Sequence, residues 1–370
     1  MDSQATDPSD PLRSRIRGCL LGGAVGDALG APVEFMSIDA IREIYGAEGV
    51  TGNEHPFRGH LAITDDTQMT LFTAEGVIRA AHRGLSRAPG TFETVLHNAY
   101  RRWMVTQGYG WHQRIETEPC SVDRSDSWLL REEVLHARRA PGGTCVRYLL
   151  AENVPGRAAF GRTDAPTNES KGCGGVMRVA PIGLATDDPF RLACKAAAIT
   201  HGHPTGWLAA GAFAEIVWYV ADGATPRDAA LRTLERNGLT GHAGHEETSG
   251  ALRAALALAN GGQEPCPELV EMLGRGWVAD EALAIGLYCA LVARDFRHGV
   301  LLAVNHSGDS DSTASICGNL LGALLGEEAI PEQWLDDLEA RTIIEQLADD
   351  LAKLVTDKDY EPDYQRYPPW

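Results

Sequence analysis

Strand-like alternation of apolar and polar residues is scarce in this chain of 370 residues, so a sheet-based fold is not expected. Basic residues are in short supply. Lys and Arg number 33 against 51 Asp and Glu, giving a formal net charge of −18. Nothing supplies a broad basic footprint, which argues against nucleic acid or an anionic membrane as the main partner. The eight cysteines (Cys19, Cys120, Cys145, Cys173, Cys194, Cys266, Cys289 and Cys317) include no Cys-x-x-Cys pair. A zinc site is therefore unsupported, and a disulfide framework does not suit a chain this long without a secretory leader. The opening MDSQATDPSDPLR has neither a basic n-region nor an apolar h-region, so it does not read as a signal peptide. No apolar run is long enough and free enough of charge to span a membrane. The cytoplasm is the expected compartment.

Helical periodicity is abundant. Apolar residues recur at three- and four-residue spacing over 70–81, 92–105, 206–223, 251–261, 279–293 and 343–355, with Gly, Pro, Asn and Asp between the segments. The best strand candidate is the short run VLLAV at 300–304. Residues 153–175, rich in Gly and Pro, form the longest non-helical stretch, and such a loop in a compact domain usually carries function or is disordered. The pattern reads as mostly α, with residues 1–13 as a flexible tail and 14–370 as one domain.

Two acidic clusters stand out. In ITDDTQMTL (63–71), Thr64, Asp65 and Asp66 precede an amphipathic helix; in NHSGDSDSTASICGNLLGALLG (305–326), Asp309 and Asp311 open a run of small and apolar residues. Helix N-termini favour carboxylates, and each cluster by itself reads as a cap. A cap needs only one side-chain oxygen, however, and a second carboxylate repels the first. If the clusters converge, their four carboxylates need cations to remain ionised together. Oxygen-only ligands suit Mg²⁺ or Mn²⁺. Two competing motifs fail. An EF-hand loop opening at Asp309 needs Gly and Glu where Ala314 and Leu320 stand. The D-x-D-x-T of haloacid-dehalogenase phosphatases closes an early core strand, whereas DSDST (309–313) comes late in a helical chain.

Together with GCLLGGAVGDALGAPVEF (18–35), SKGCGGVMRVAPIGL (170–184), THGHP (200–204) and GWVADEALAIGLYCAL (276–291), these clusters make the chain resemble the ADP-ribosylglycohydrolases. The resemblance implies an all-α domain with a binuclear Mg²⁺ or Mn²⁺ centre whose ligands are Thr64, Asp65, Asp66, Asp309, Asp311 and Ser312. Ser312 stands where relatives often have Thr and keeps the hydroxyl. Glu34 falls at a glutamate with gating or acid–base roles, so the implied catalytic set is Glu34, Asp65 and Asp311. Asp27 is read as a structural carboxylate. The loop Gly172, Cys173, Gly174 and Gly175 matches a diphosphate-binding loop, with Cys173 where Asn is common and no base to make it a nucleophile. Met177 and His201 complete the implied substrate contacts, His201 ahead of His203 as the candidate for the adenosine side. Arg178 is either a phosphate clamp or a structural ion pair, and Trp277 and Tyr288 fit core packing. The substrate implied is ADP-ribose on a protein side chain, most often arginine. Serine-linked or O-acetyl-ADP-ribose is the alternative, as is an immunity protein that also binds an ADP-ribosyltransferase toxin.

Overall fold

The computed structural model describes residues 11–53, 60–86, 91–109, 127–150 and 160–369. Among them no strand forms. The only β-type pairings are the isolated bridges Leu61–Leu338, Arg162–Ala165 and Gly172–Val278. The expected all-α class holds. The helices read from periodicity are present, over Asp65–Ser86, Phe92–Thr106, Pro204–Ala221, Glu246–Ala259, Ala279–Val292 and Arg341–Thr356. Pro204–Ala221 and Ala279–Val292 are apolar on nearly every face and sit in the core. Phe92–Thr106 and Arg341–Thr356 are amphipathic and bury one face each.

VLLAV is not a strand. It forms the end of the helix Phe296–Val304, whose start is fixed by Asp295 accepting a hydrogen bond from the His298 amide at 2.7 Å. Short apolar runs do not separate helix from strand by periodicity, and here the cap decides. Of the Gly- and Pro-rich stretch 153–175, residues 153–159 lie outside the described residues, as do Cys120 and residues 1–10 of the proposed tail. Pro11 already begins a helix that continues to Gly30, and Arg13 within it bonds Asp349.

That first helix lies antiparallel against Ser310–Leu325 in a register set by small residues. A Cβ on Gly18 would sit 2.5 Å from the Gly322 carbonyl oxygen, one on Gly22 2.4 Å from Gly318, one on Gly26 2.1 Å from Ala314 and one on Gly30 2.4 Å from Ser310. The absence of side chains at four-residue intervals lets the two backbones touch. Asn319 donates to the Cys19 carbonyl at 2.7 Å and locks the register. The pairing delivers the C-terminal end of the first helix, and Glu34 just beyond it, to the start of the Ser310 helix.

The Asp65–Ser86 helix is anchored separately. Near its far end Arg79 and Arg83 donate to the carbonyls of Pro368 and Pro369. Before its start, Arg139 donates to the Ile63 carbonyl at 2.7 Å and forms an ion pair with Glu339, which accepts from the Ile63 amide. No described helix is long and apolar enough to cross a membrane.

Candidate metal centre and substrate pocket

The two acidic clusters meet. The Ser312 hydroxyl donates to Asp66 Oδ1 at 2.9 Å, a contact between residues 246 positions apart. Glu34, Asp309 and Asp311 each offer a carboxylate oxygen within 4.8 Å of the others. These residues, with Asp65, Asp66 and Ser312, line a cavity of about 480 Å³.

The two helix starts are built differently. Thr64 is a true cap: its hydroxyl accepts from the Asp66 amide at 3.2 Å. That hydroxyl also donates to Asp27 Oδ1 at 2.7 Å, and Asp27 receives the Thr64 amide at 2.9 Å and the Thr67 hydroxyl at 2.5 Å. Asp27 is thus a structural acceptor that ties the first helix to the Asp65 helix, as the sequence suggests. Thr64 is buried and does not line the cavity. Asp309 occupies the cap position of its helix but makes no side-chain cap bond, and its buried Oδ2 has no hydrogen-bond partner. Asp65 Oδ2 accepts from the Gly142 amide at 2.9 Å, and Asp311 Oδ1 from the Ser312 amide at 2.9 Å.

Crowding these groups away from water raises their proton affinities. Burial, then Asp311, lifts the Asp27 carboxyl to about 7. Burial followed by Asp311, Asp65 and Asp27 lifts Glu34 to about 9. Asp65 rises to about 8, chiefly through burial, and Asp66 and Asp309 rise well above the ordinary range through burial and Asp311. Burial also raises Asp311. The clustered carboxylates and the Ser312 hydroxyl, with an orphaned buried oxygen among them, are hard oxygen donors that fit divalent cations of the Mg²⁺ or Mn²⁺ kind.

The Gly-rich loop forms one wall. Cys173–Gly175 is a short 3₁₀ turn; Gly172, Cys173 and Gly174 line the cavity, while Gly175 packs behind it against Ala197 and the Gly206 carbonyl. A Cβ on Gly174 would stand 2.9 Å from the Cys145 sulfur and 3.1 Å from the His201 ring. The Cys173 amide is already committed to the Trp277 carbonyl at 3.2 Å. Burial and the facing Asp309 and Asp66 push the Cys173 thiol up, so it is no thiolate nucleophile. Met177 and His201 also line the cavity. His201 bonds the Thr200 hydroxyl at 2.8 Å, and burial beside Arg178 lowers its pKa to about 3, which keeps the ring neutral. His203 is a helix cap, accepting from the Thr205 amide.

Two residues differ from expectation. Arg178 is neither phosphate clamp nor ion pair. It is buried and bonds the Ala196 carbonyl, the Thr200 hydroxyl and the Cys145 sulfur, with its guanidinium over the Tyr100 ring. Trp277 is not core. It lies at the cavity rim, 36% exposed and stacked on Phe35, whereas Tyr288 is buried as expected. Arg138 and the segment 140–144 also line the cavity, beside Asp65 and Gly174, and are absent from the expected set. The segment's only sequence signal is the breaker string APGG at 140–143.

The fold is similar to that of a chain in a solved ADP-ribosylglycohydrolase-related protein complex. That chain superposes with a TM-score of 0.55 at 26% identity, covering 93% of this chain and 99% of the other. The chain belongs to the ADP-ribosylglycohydrolase family, whose model matches residues 8–361. It is 28% identical to the ADP-ribosyl-(dinitrogen reductase) glycohydrolase of Rhodospirillum rubrum, over 91% of this chain and 93% of that protein. It is 24% identical to the ADP-ribosylarginine hydrolase Tri1 of Serratia proteamaculans, over 95% of this chain and 83% of that protein.

Proposed function

We propose that the protein is a divalent-cation-dependent hydrolase that removes ADP-ribose from modified arginine side chains. The observation that carries this reading is the convergence of Asp65, Asp66, Asp309, Asp311 and Ser312 on one cavity, with Asp309 Oδ2 left without a partner. Asp65, Asp66, Asp309, Asp311 and Ser312, which line the cavity, would hold two cations, with the buried Thr64 hydroxyl beside Asp311 as a sixth donor. When bound, such cations offset the carboxylate charge, grip sugar hydroxyls and polarise water. The arginine linkage is favoured by relatives named for ADP-ribosylarginine hydrolysis.

The residues of the chain then have distinct tasks. Gly172, Cys173 and Gly174 line the cavity, and the two glycines present no side chain to hold a ligand's diphosphate off the backbone. Asp65 is aimed by the Gly142 amide and Asp66 by the Ser312 hydroxyl, so neither rotates freely. In hydrolysis a water oxygen bonds to the anomeric carbon as the bond from that carbon to the guanidine nitrogen breaks. One water proton goes to a carboxylate, and the departing nitrogen receives a proton. Glu34, half-buried at the cavity edge and raised to about 9 by burial and then by Asp311, Asp65 and Asp27, is the group that carries protons between pocket and solvent. Asp311 and Asp65 flank the same space.

The test is release of free ADP-ribose from arginine-, serine- and O-acetyl-linked substrates, with Mg²⁺, Mn²⁺ or chelator. Arginine-linked substrate is expected to be cleaved with metal and spared with chelator. Asp65→Ala and Asp309→Ala are expected to lose at least about 1,000-fold in rate while keeping the helical far-UV spectrum. Full activity of Asp309→Ala in chelator sinks the reading.

A further inference from the structure

The Phe35–Trp277 pair is not explained by packing. Phe35 is 69% exposed and its backbone has φ 69°, a conformation that bulky L-residues avoid. It is held there on both sides: its amide donates to the Gly308 carbonyl at 3.1 Å, and the Gly308 amide donates to the Met36 carbonyl at 3.2 Å. Trp277 follows Gly276, which has φ 82°, and its carbonyl accepts from Cys173 at 3.2 Å. The rings lie 5.0 Å apart with planes 22° from parallel, and both line the cavity. Three separate parts of the site therefore meet at this stack: the segment after the first helix, the Gly-rich wall and the Asp309 turn. An exposed large aromatic in a strained but firmly hydrogen-bonded backbone points to a role for its surface.

The charge around the pair narrows that role. Phe35 directly follows Glu34, whose carboxylate lies within 4.8 Å of ligand oxygens of Asp309 and Asp311. The face of an aromatic ring attracts a planar cation through its quadrupole, and whatever carboxylate charge bound cations leave unbalanced acts in the same direction. Resting on the arginine-linked reading above, we propose that Phe35 and Trp277 form an aromatic rim that holds the guanidinium of the substrate arginine at the cavity mouth. The rim makes the enzyme selective for a cationic leaving group. It positions the linkage and takes no part in bond making.

The test measures kcat/KM on arginine-linked ADP-ribose and, separately, the Kd for free ADP-ribose, which lacks the guanidinium. Phe35→Leu and Trp277→Leu keep apolar bulk and remove the π face. Each is expected to lower kcat/KM on the arginine-linked substrate about tenfold. The Kd for ADP-ribose is expected to stay within about twofold of wild type. Phe35→Tyr, which restores a ring, is expected to recover most of the loss. Both side chains are substantially exposed, and Phe35→Leu gives a folding-neutral check on Trp277→Leu. A parallel loss of ADP-ribose affinity means the rings hold the adenine and overturns the proposal, as does an unchanged kcat/KM. A wild-type protein that cleaves no arginine-linked substrate removes the parent reading, and the rim with it.

Discussion

Asp309 shows what a carboxylate does when a fold places it at a helix start and gives it nothing to cap. Its Oδ2 is buried and unpartnered, beside Asp311 and Glu34. In cation-free protein that arrangement is destabilising, so Asp309→Asn is expected to raise the melting temperature in chelator, by an amount equivalent to about 1–2 kcal/mol. The same variant should show little or none of the stabilisation that Mg²⁺ or Mn²⁺ gives wild type. A lower melting temperature in chelator would instead make Asp309 a structural residue. Ser312 makes the complementary case. Its hydroxyl aims Asp66, so Ser312→Ala should weaken Mn²⁺ binding by about 10–100-fold, measured calorimetrically, while Ser312→Thr keeps the donor and most of the affinity. The excess charge at both helix starts is legible in the sequence. Which oxygen is spent, on Gly142 or on Ser312, is not, because those partners come from distant segments.

At the level of helices, the pairing of Pro11–Gly30 with Ser310–Leu325 turns helix propensity against stability. Glycine to alanine in a helix normally gains roughly 0.5–1 kcal/mol. At Gly250, on the exposed face of Glu246–Ala259, an added Cβ meets nothing, and Gly250→Ala is expected to stabilise by that amount. At Gly318 an added Cβ would lie 2.0 Å from the Gly22 carbonyl, so Gly318→Ala should destabilise by at least about 2 kcal/mol and lower activity by shifting Asp309 and Asp311. Denaturant titration of the two variants side by side separates packing from propensity. The same glycines explain why periodicity misses the first helix. Gly18, Gly22, Gly23, Gly26 and Gly30 suppress both propensity and the apolar stripe, and the reason they are tolerated lies on another helix. Helices with ordinary amphipathic faces, such as Phe92–Thr106 and Arg341–Thr356, are legible because their signal is local.

For the molecule as a whole, histidines folded away from water add acid sensitivity, which in cation-free protein is opposed by the raised carboxylates of the site. Burial lowers the pKa of His97 to about 3 and that of His306 to about 4. Unfolded, each would take up a proton near 6.5. At these two residues the unfolded state thus binds more protons over roughly pH 4 to 6.5, and their share of stability, present above that window, is lost as pH falls through it. Each histidine should cost about 2 kcal/mol by pH 5, and His97→Gln should flatten the difference between pH 7.5 and pH 5 by that much in urea titrations. The mostly helical class is readable from composition and spacing, but the cavity is not. Its Arg138–Thr144 wall carries no more than a breaker string, and Trp277 reads as core because its exposure depends on Phe35 far away in sequence. The contact between Ser312 and Asp66 also has a consequence in time. A chain emerging from the ribosome presents Asp65 and Asp66 long before Ser312 exists, and the glycine-lined face of the first helix has no partner until Ser310–Leu325 arrives. Contacts so remote in sequence close late. Until they do, the growing chain exposes a bare helix face and an unfinished acidic half-site, so synthesis, and not only folding, sets when this protein can first act.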